Sequence, residues 1–299
     1  MPPVVAKYFE NLSYHALVEE VLTTPKPGLV DLDSSGAHKD MDISHFLGSA
    51  SAISPYFGKM AEYGYHNPSN DDELFRSVQK IGIEAEVAMY EATGGINTHK
   101  GAIFCIGLLV TAAGCLLRNR HRFTLADLSE RVAGLSRPNL ECILREIKAR
   151  NEPVTQGEFL YCLNGISGAR GEALRGFPSA LNIGVPAFKA ILAEGYSYNE
   201  AKIHTLLSLM VDVEDTTVLA KAGSTGMNLM KNLVGEILQK GSVREAGAME
   251  HLNELDSIFS RNNISAGGCA DLLGLTILIH RFESDMKAKK EIFTPGYLY

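Results

Sequence analysis

Several absences narrow what this 299-residue sequence can do. Its five cysteines, Cys105, Cys115, Cys142, Cys162 and Cys269, are odd in number and contain no C-x-x-C pair. Neither a disulfide framework nor a zinc site is therefore expected, and a reducing cytoplasm fits best. Cationic excess is also missing. The 28 Lys and Arg against 35 Asp and Glu leave a formal charge of -7 and a pI near 5.7. A general nucleic-acid binder would need basic surface to displace phosphate counterions, so that class is excluded and any phosphate site must be local. The start, Met1-Pro-Pro-Val-Val-Ala-Lys7, has no basic region followed by a long apolar run and is not expected to be a signal peptide. The one membrane-like stretch, from Ala102 to Leu117, is uncharged but falls short of the ~20 residues of a span, so a buried central helix is expected. Alternating strand patterns, linkers, repeats and low-complexity tracts are scarce or missing.

What is present is a composition of 45% hydrophobic and 21% charged residues, sufficient for a sizeable core. Helical periodicity dominates. From Asn199 to Leu219, the residues Ile203, Leu206, Leu207, Met210, Val213 and Val218 recur at helix spacing, with Asn199 as the expected cap. Further helices are expected over Tyr8–Leu22, Ser44–Tyr56, Leu74–Tyr90, Leu125–Leu135, Asn139–Lys148, Met227–Gln239 and Ala270–Phe282. The expected fold is all-α, one multi-helix catalytic domain over residues 1–299 with 1–19 and 283–299 peripheral, and Gly- or Pro-rich connections between helices.

The chemistry-bearing residues sit in those connections. Thr24-Pro-Lys-Pro-Gly-Leu-Val-Asp31 is a stiff loop that holds Lys26 and Asp31 in fixed directions, or simply joins two helices. In His38-Lys-Asp-Met-Asp42, His38 and Asp42 stand one helical turn apart beside Lys39, as a site or as an ordinary cap with an ion pair. Gly94-Gly-Ile-Asn-Thr-His-Lys-Gly101 leads into the apolar run. Paired glycines, an electropositive helix start and Lys100 suit a phosphate, and packing does not explain Asn97, Thr98, His99 and Lys100 together. This is not a P-loop, since no Gly precedes Lys100 and no Ser or Thr follows it.

Gly168-Ala-Arg-Gly-Glu-Ala-Leu-Arg-Gly-Phe-Pro178 offers Arg170 and Arg175 as planar forks around Glu172, or a solvated charge run. Asp212, Asp215 and Thr216 are expected on one face of the helix through Asn199. Acids there need a nearby cation, either magnesium or Lys221. Asn263-Ile-Ser-Ala-Gly-Gly-Cys-Ala-Asp271 reads as a helix start with Asp271 in its first turns, and Cys269 as a packing residue.

Taken in order, Thr24-Pro-Lys-Pro-Gly-Leu-Val-Asp31, Gly36-Ala-His-Lys-Asp-Met41, Gly95-Ile-Asn-Thr-His-Lys-Gly101, Gly168-Ala-Arg-Gly-Glu172, Asp215-Thr216 and Gly267-Gly-Cys-Ala-Asp-Leu272 resemble the bacterial triphosphoribosyl-dephospho-CoA synthases over about Glu20 to His280. Leu32, Ala266 and Cys269 depart from that pattern, which usually has Arg, Pro and Ser there. The resemblance implies an all-helical fold and a reaction of two substrates, ATP and 3′-dephospho-CoA. A ribose 2′-hydroxyl of dephospho-CoA attacks C1′ of ATP, adenine leaves, and the triphosphate stays on the product. That product is the prosthetic-group precursor of the acyl carrier subunit of citrate lyase, or of malonate decarboxylase, and passes to an acyl carrier protein transferase.

On this reading Asp31, His38, His99 and Asp215 are the candidate catalytic residues. Lys26, Lys39, Asn97, Thr98, Lys100, Arg170, Glu172 and Asp271 are the candidates for binding substrate, and Asp215, Asp212 and Asp40 those for Mg2+, with no organic cofactor. An aspartate would accept the hydroxyl proton as the bond forms, and His99 or His38 would serve the leaving adenine. Neither membrane nor nucleic acid is an expected partner, while the chain could form a homodimer. A magnesium-dependent helical nucleotide or ADP-ribose hydrolase is the competing enzyme class, although no His-Asp dipeptide occurs. A nucleotide-binding protein without turnover is the non-enzymatic one.

Overall fold

The computed structural model describes residues 2–119, 123–150 and 152–288, and among them twelve α-helices and no strand. In chain order these are α1 (Pro2–Val21), α2 (Ile43–His66), α3 (Asp71–Ala92), α4 (Lys100–Asn119), α5 (Leu125–Arg150), α6 (Gln156–Asn164), α7 (Gly168–Leu174), α8 (Val185–Ala193), α9 (Tyr198–Asp212), α10 (Thr216–Gln239), α11 (Ala248–Arg261) and α12 (Gly267–Lys287). A short π-helical turn, Ala180–Gly184, leads into α8. The all-α expectation holds.

The centre is α4, whose residues from Ala102 to Leu117 are buried except for Phe104. It is long and apolar enough to cross a membrane, yet 83% of its most apolar window is buried among other helices. It packs chiefly on α2, with α5, α12 and α3 around it. Small residues allow the α2 contact. A Cβ on Gly114 would lie 2.1 Å from the Ala61 carbonyl oxygen, and one on Gly64 would lie 2.3 Å from that of Thr111. Neither position accepts even a methyl group without parting the helices.

Several boundaries differ from expectation. The helix through Asn199 does not run to Leu219. It ends at Asp212, Val213 turns extended (φ -82°, ψ 137°), and α10 begins at Thr216 with Asp215 as its N-cap. The apolar period survives this break because Val213, in the extended turn after α9, and Val218, on α10, both pack against the core. Nor is Asn199 the cap of α9. Ser197 and Glu200 form a capping box, and Asn199 instead bonds the Thr24 backbone on both sides of its amide.

The two helices expected on either side of Pro138 are one, α5, since Leu135, Leu140, Leu144 and Ile147 continue a single buried stripe through the proline. His38 and Asp42 are not on a shared turn of helix. His38 lies in the connecting loop and Asp42 caps α2 with Ser44 and His45. The helix expected from Met227 starts at Thr216 and breaks at Gly223.

Of the segment 1–19, expected at the periphery, residues 2–19 belong to α1, which places Phe9, Ala16 and Leu17 in the core against α2 and α12. At the other end α12 continues through 283–287, where Glu283 pairs with Lys189. Residues 289–299 of that expected tail lie outside the described residues.

Candidate active site

Loops and helix starts meet at a cleft of about 810 Å³. It is lined by Lys26, His38, Asn97, Thr98, His99, Lys100, Glu172, Asp212, Asp215 and Asp271, all ten singled out from sequence. Four others are not on its wall. Asp31 is buried, and its carboxylate accepts backbone N–H bonds from Lys26, Asp33 and Ser34, so it braces the loop that presents Lys26. Lys39 and Asp40 are exposed outside the lining. Arg170 faces an adjoining cleft, while Arg175 takes the place on the main wall.

His99 is the most constrained group. It is 3% exposed, with Nδ1 2.8 Å from Ser49 Oγ, and its ring stands edge-on to Phe46. Burial, then the nearby Lys26 charge, lowers its pKa to about 3, so the imidazole is neutral. Its Nε2 is buried with no partner, and so is the neighbouring Thr98 Oγ1. Two unsatisfied polar atoms side by side on a cleft wall are what a polar ligand would complete.

The carboxylates have distinct employments. Glu20, which the sequence reading did not assign, lies in the cleft and pairs with the buried Lys26 at 2.5 Å. Its signal was available, as an acid on the buried side of α1 six residues before Lys26. Glu172 accepts from Ser179 Oγ and N and pairs with Arg175. Asp215 accepts from Thr217 and Val218 at the start of α10 and from Cys269 at the start of α12. Burial pushes its pKa up against those three bonds.

Asp271 is partly buried near Glu20 and Asp215, and desolvation followed by those two charges raises its pKa well above the usual carboxylate range, favouring its protonated form. Its Oδ2 occupies the place of a Gly101 side chain, 1.9 Å from where a Cβ would be. Asp212, exposed at the end of α9, is the cleft carboxylate with no hydrogen bond or ion pair among the described residues.

His38 contacts Ser265 Oγ through Nε2 at 2.8 Å and lies within 3.4 Å of Lys221 Nζ. Burial and then Lys221 lower its pKa. Lys221 was expected beside the α9 acids; it serves His38 instead, and Lys231 pairs with Glu214. Lys100 reaches Glu86 at 2.9 Å. Among the described residues no group of three or more His, Cys, Asp or Glu could hold a metal ion.

The ATP:dephospho-CoA triphosphoribosyl transferase (CitG) family model matches residues 6–290. The chain belongs to this family. It is 40% identical over 91% of its length to 87% of a Photobacterium profundum protein named "Probable 2-(5''-triphosphoribosyl)-3'-dephosphocoenzyme-A synthase". It is 38% identical over 94% of each chain to the 2-(5''-triphosphoribosyl)-3'-dephosphocoenzyme-A synthase of Pectobacterium atrosepticum. No solved structure matches it significantly.

Proposed function

We propose that the chain transfers the triphosphoribosyl part of ATP to the ribose 2′-hydroxyl of 3′-dephospho-CoA, releasing adenine and making the prosthetic-group precursor of the citrate lyase acyl carrier protein. Family membership supports the reaction. The observation that carries the site is the meeting of ten chemistry-bearing residues from six sequence segments in one cleft. The product is a cytoplasmic intermediate passed to an acyl carrier protein transferase.

In the step itself the bond from C1′ to adenine breaks, a bond from the 2′-oxygen to C1′ forms, the hydroxyl proton leaves, and adenine gains one. Such a displacement passes through an oxocarbenium-like state, so a carboxylate near C1′ and a donor at the leaving base are the useful groups. Asp212 is the carboxylate free to accept the hydroxyl proton or to meet a cation. Neutral His99, with Nδ1 accepting from Ser49, gives the departing adenine a hydrogen bond from Nε2–H and keeps its own proton. The proton that adenine gains is the one the 2′-hydroxyl gives up, handed on by the accepting carboxylate. A bound Mg2+ would neutralise phosphate charge, with Asp212 as its protein ligand. Lys26, Lys100 and Arg170 hold the phosphates of the two substrates, and the substrates themselves, filling the cleft, keep water from C1′.

Mass spectrometry of products from ATP, dephospho-CoA and magnesium tests this. The expected result is adenine and a triphosphoribosyl adduct formed only when both substrates are present. Rapid adenine release from ATP alone would favour the hydrolase reading, which nothing in the comparisons supports.

A further inference from the structure

A second cleft of about 560 Å³ opens beside the first, between α3, α4 and α5. Lys100, Gly101, Ser167, Gly168, Ala169 and Thr216 line both, so they are two limbs meeting at one junction. Away from the junction the second limb is apolar, with Phe75, Val78, Ile83, Phe104, Leu140 and Ile143 on its walls. Ile83 is 56% exposed, as is its α3 neighbour Val87 at 52%, so apolar surface is left open along one helix face. Polar groups are few. Gln79 lies among the apolar residues, Glu86 pairs with Lys100 at the junction end, and Arg170 joins Lys100 there to supply positive charge in excess of that one carboxylate.

We infer that this limb holds the pantetheine arm of dephospho-CoA, with the diphosphate at Lys100 and Arg170 and the ribose entering the main cleft at the junction. The inference rests on the activity proposed above. Two substrates must occupy the site together with C1′ of one against the 2′-oxygen of the other, which calls for two limbs that converge. The arm is long, uncharged and largely apolar, with amides that need a few partners, and it ends in a diphosphate. An apolar cleft with one amide side chain and cations at the junction matches that order of chemistry. ATP presents the opposite pattern, since its polar base and triphosphate suit the polar wall at His99, Asn97 and Lys26.

The test is steady-state kinetics on the wild type, Gly82→Leu and Ile83→Glu, with folding checked by circular dichroism. A Cβ on Gly82 meets nothing closer than Met60 Cε at 3.7 Å, so a leucine there extends into the limb without breaking the helix. Ile83 is exposed enough to accept a charge without unfolding the chain. Each variant is expected to raise the KM for dephospho-CoA about tenfold or more, as loss of apolar fit does, and to hold the KM for ATP within about twofold. In the wild type 4′-phosphopantetheine should compete with dephospho-CoA and not with ATP.

A rise in the KM for ATP instead would place the ATP base in this limb and overturn the inference. Unchanged KM values for both substrates would do the same. Binding of 4′-phosphopantetheine by calorimetry, strong in wild type and lost in Gly82→Leu, separates the two claims because it needs no turnover. Wild type that binds it but forms no adduct would sink the activity and leave the limb standing. Adduct formation with equal binding to Gly82→Leu would sink the limb alone.

Discussion

His99 enters the fold neutral and stays so, because burial and Lys26 lower its pKa to about 3 from the ordinary 6.5. The unfolded chain takes up a proton as pH falls through 6.5 while the folded one does not, so stability declines from there towards pH 3. At pH 5 the deficit from this one group is about 2 kcal/mol, from ~1.4 kcal/mol per pH unit. Urea unfolding at pH 7 and pH 5 should show that loss in wild type, and His99→Gln should remove most of it. An identical pH dependence in the variant would mean that His99 is solvated.

Asp215 carries a different expectation. Asp215→Asn turns a donor amide towards either the Thr217 and Val218 N–H groups or that of Cys269, leaving at least one buried N–H unpaired. The expected loss is about 1–3 kcal/mol of stability together with reduced adenine release. Unchanged stability with lost activity would return Asp215 to direct chemistry. Its sequence signal was misread because the apolar period ran on past it. The sequence Asp215-Thr-Thr was an N-cap, visible in residue type but hidden by the continuing valines.

The starts of α4, α10 and α12 are tied by carboxylates, and the tie between α4 and α12 depends on Gly101. Replacing it with alanine sets a methyl against Asp271 Oδ2, so the helices must part or the carboxyl must swing into the cleft. Gly101→Ala is expected to lose about 1–3 kcal/mol and to depress adenine release in the same product assay. Wild-type behaviour in both would show that α12 can slide freely.

Helix existence was legible wherever the apolar period was long, as in α4 and α9. Helix ends were less so. The Ser197–Glu200 capping box was readable but was passed over for Asn199, whose amide reaches Thr24 across the fold, and pairings of that range leave no local trace. The same limit explains Asp31. Its spacing from Lys26 was visible, but nothing local said that its carboxylate faces the loop backbone and not the cleft. The order of six short segments pointed to the family, and only the folded chain shows which of their residues share a wall.

A site built from α1, α4, α7, α9, α10, α12 and the loops between them links ligand occupancy to the whole molecule. ATP with magnesium at about 100 times its dissociation constant should therefore add about 2.7 kcal/mol to unfolding stability, read as a rise in Tm. No shift with saturating nucleotide would place ATP elsewhere. Because the chain carries a charge of -7, binding should also weaken with added salt less than it does for a broadly basic protein, since few cations take part.

Two of those few cations are already paired. Lys26 is held by Glu20 and Lys100 by Glu86. On the proposed function an arriving phosphate is therefore expected to enter by partner exchange, displacing a carboxylate from the lysine it meets. The carboxylates on the resting cleft wall outnumber its cations, so a stray inorganic anion with one or two charges gains little by entering. On the proposed placement the ATP triphosphate would displace Glu20 from Lys26 and the dephospho-CoA diphosphate would displace Glu86 from Lys100, so the site is expected to select for the number of charges as well as for their sign.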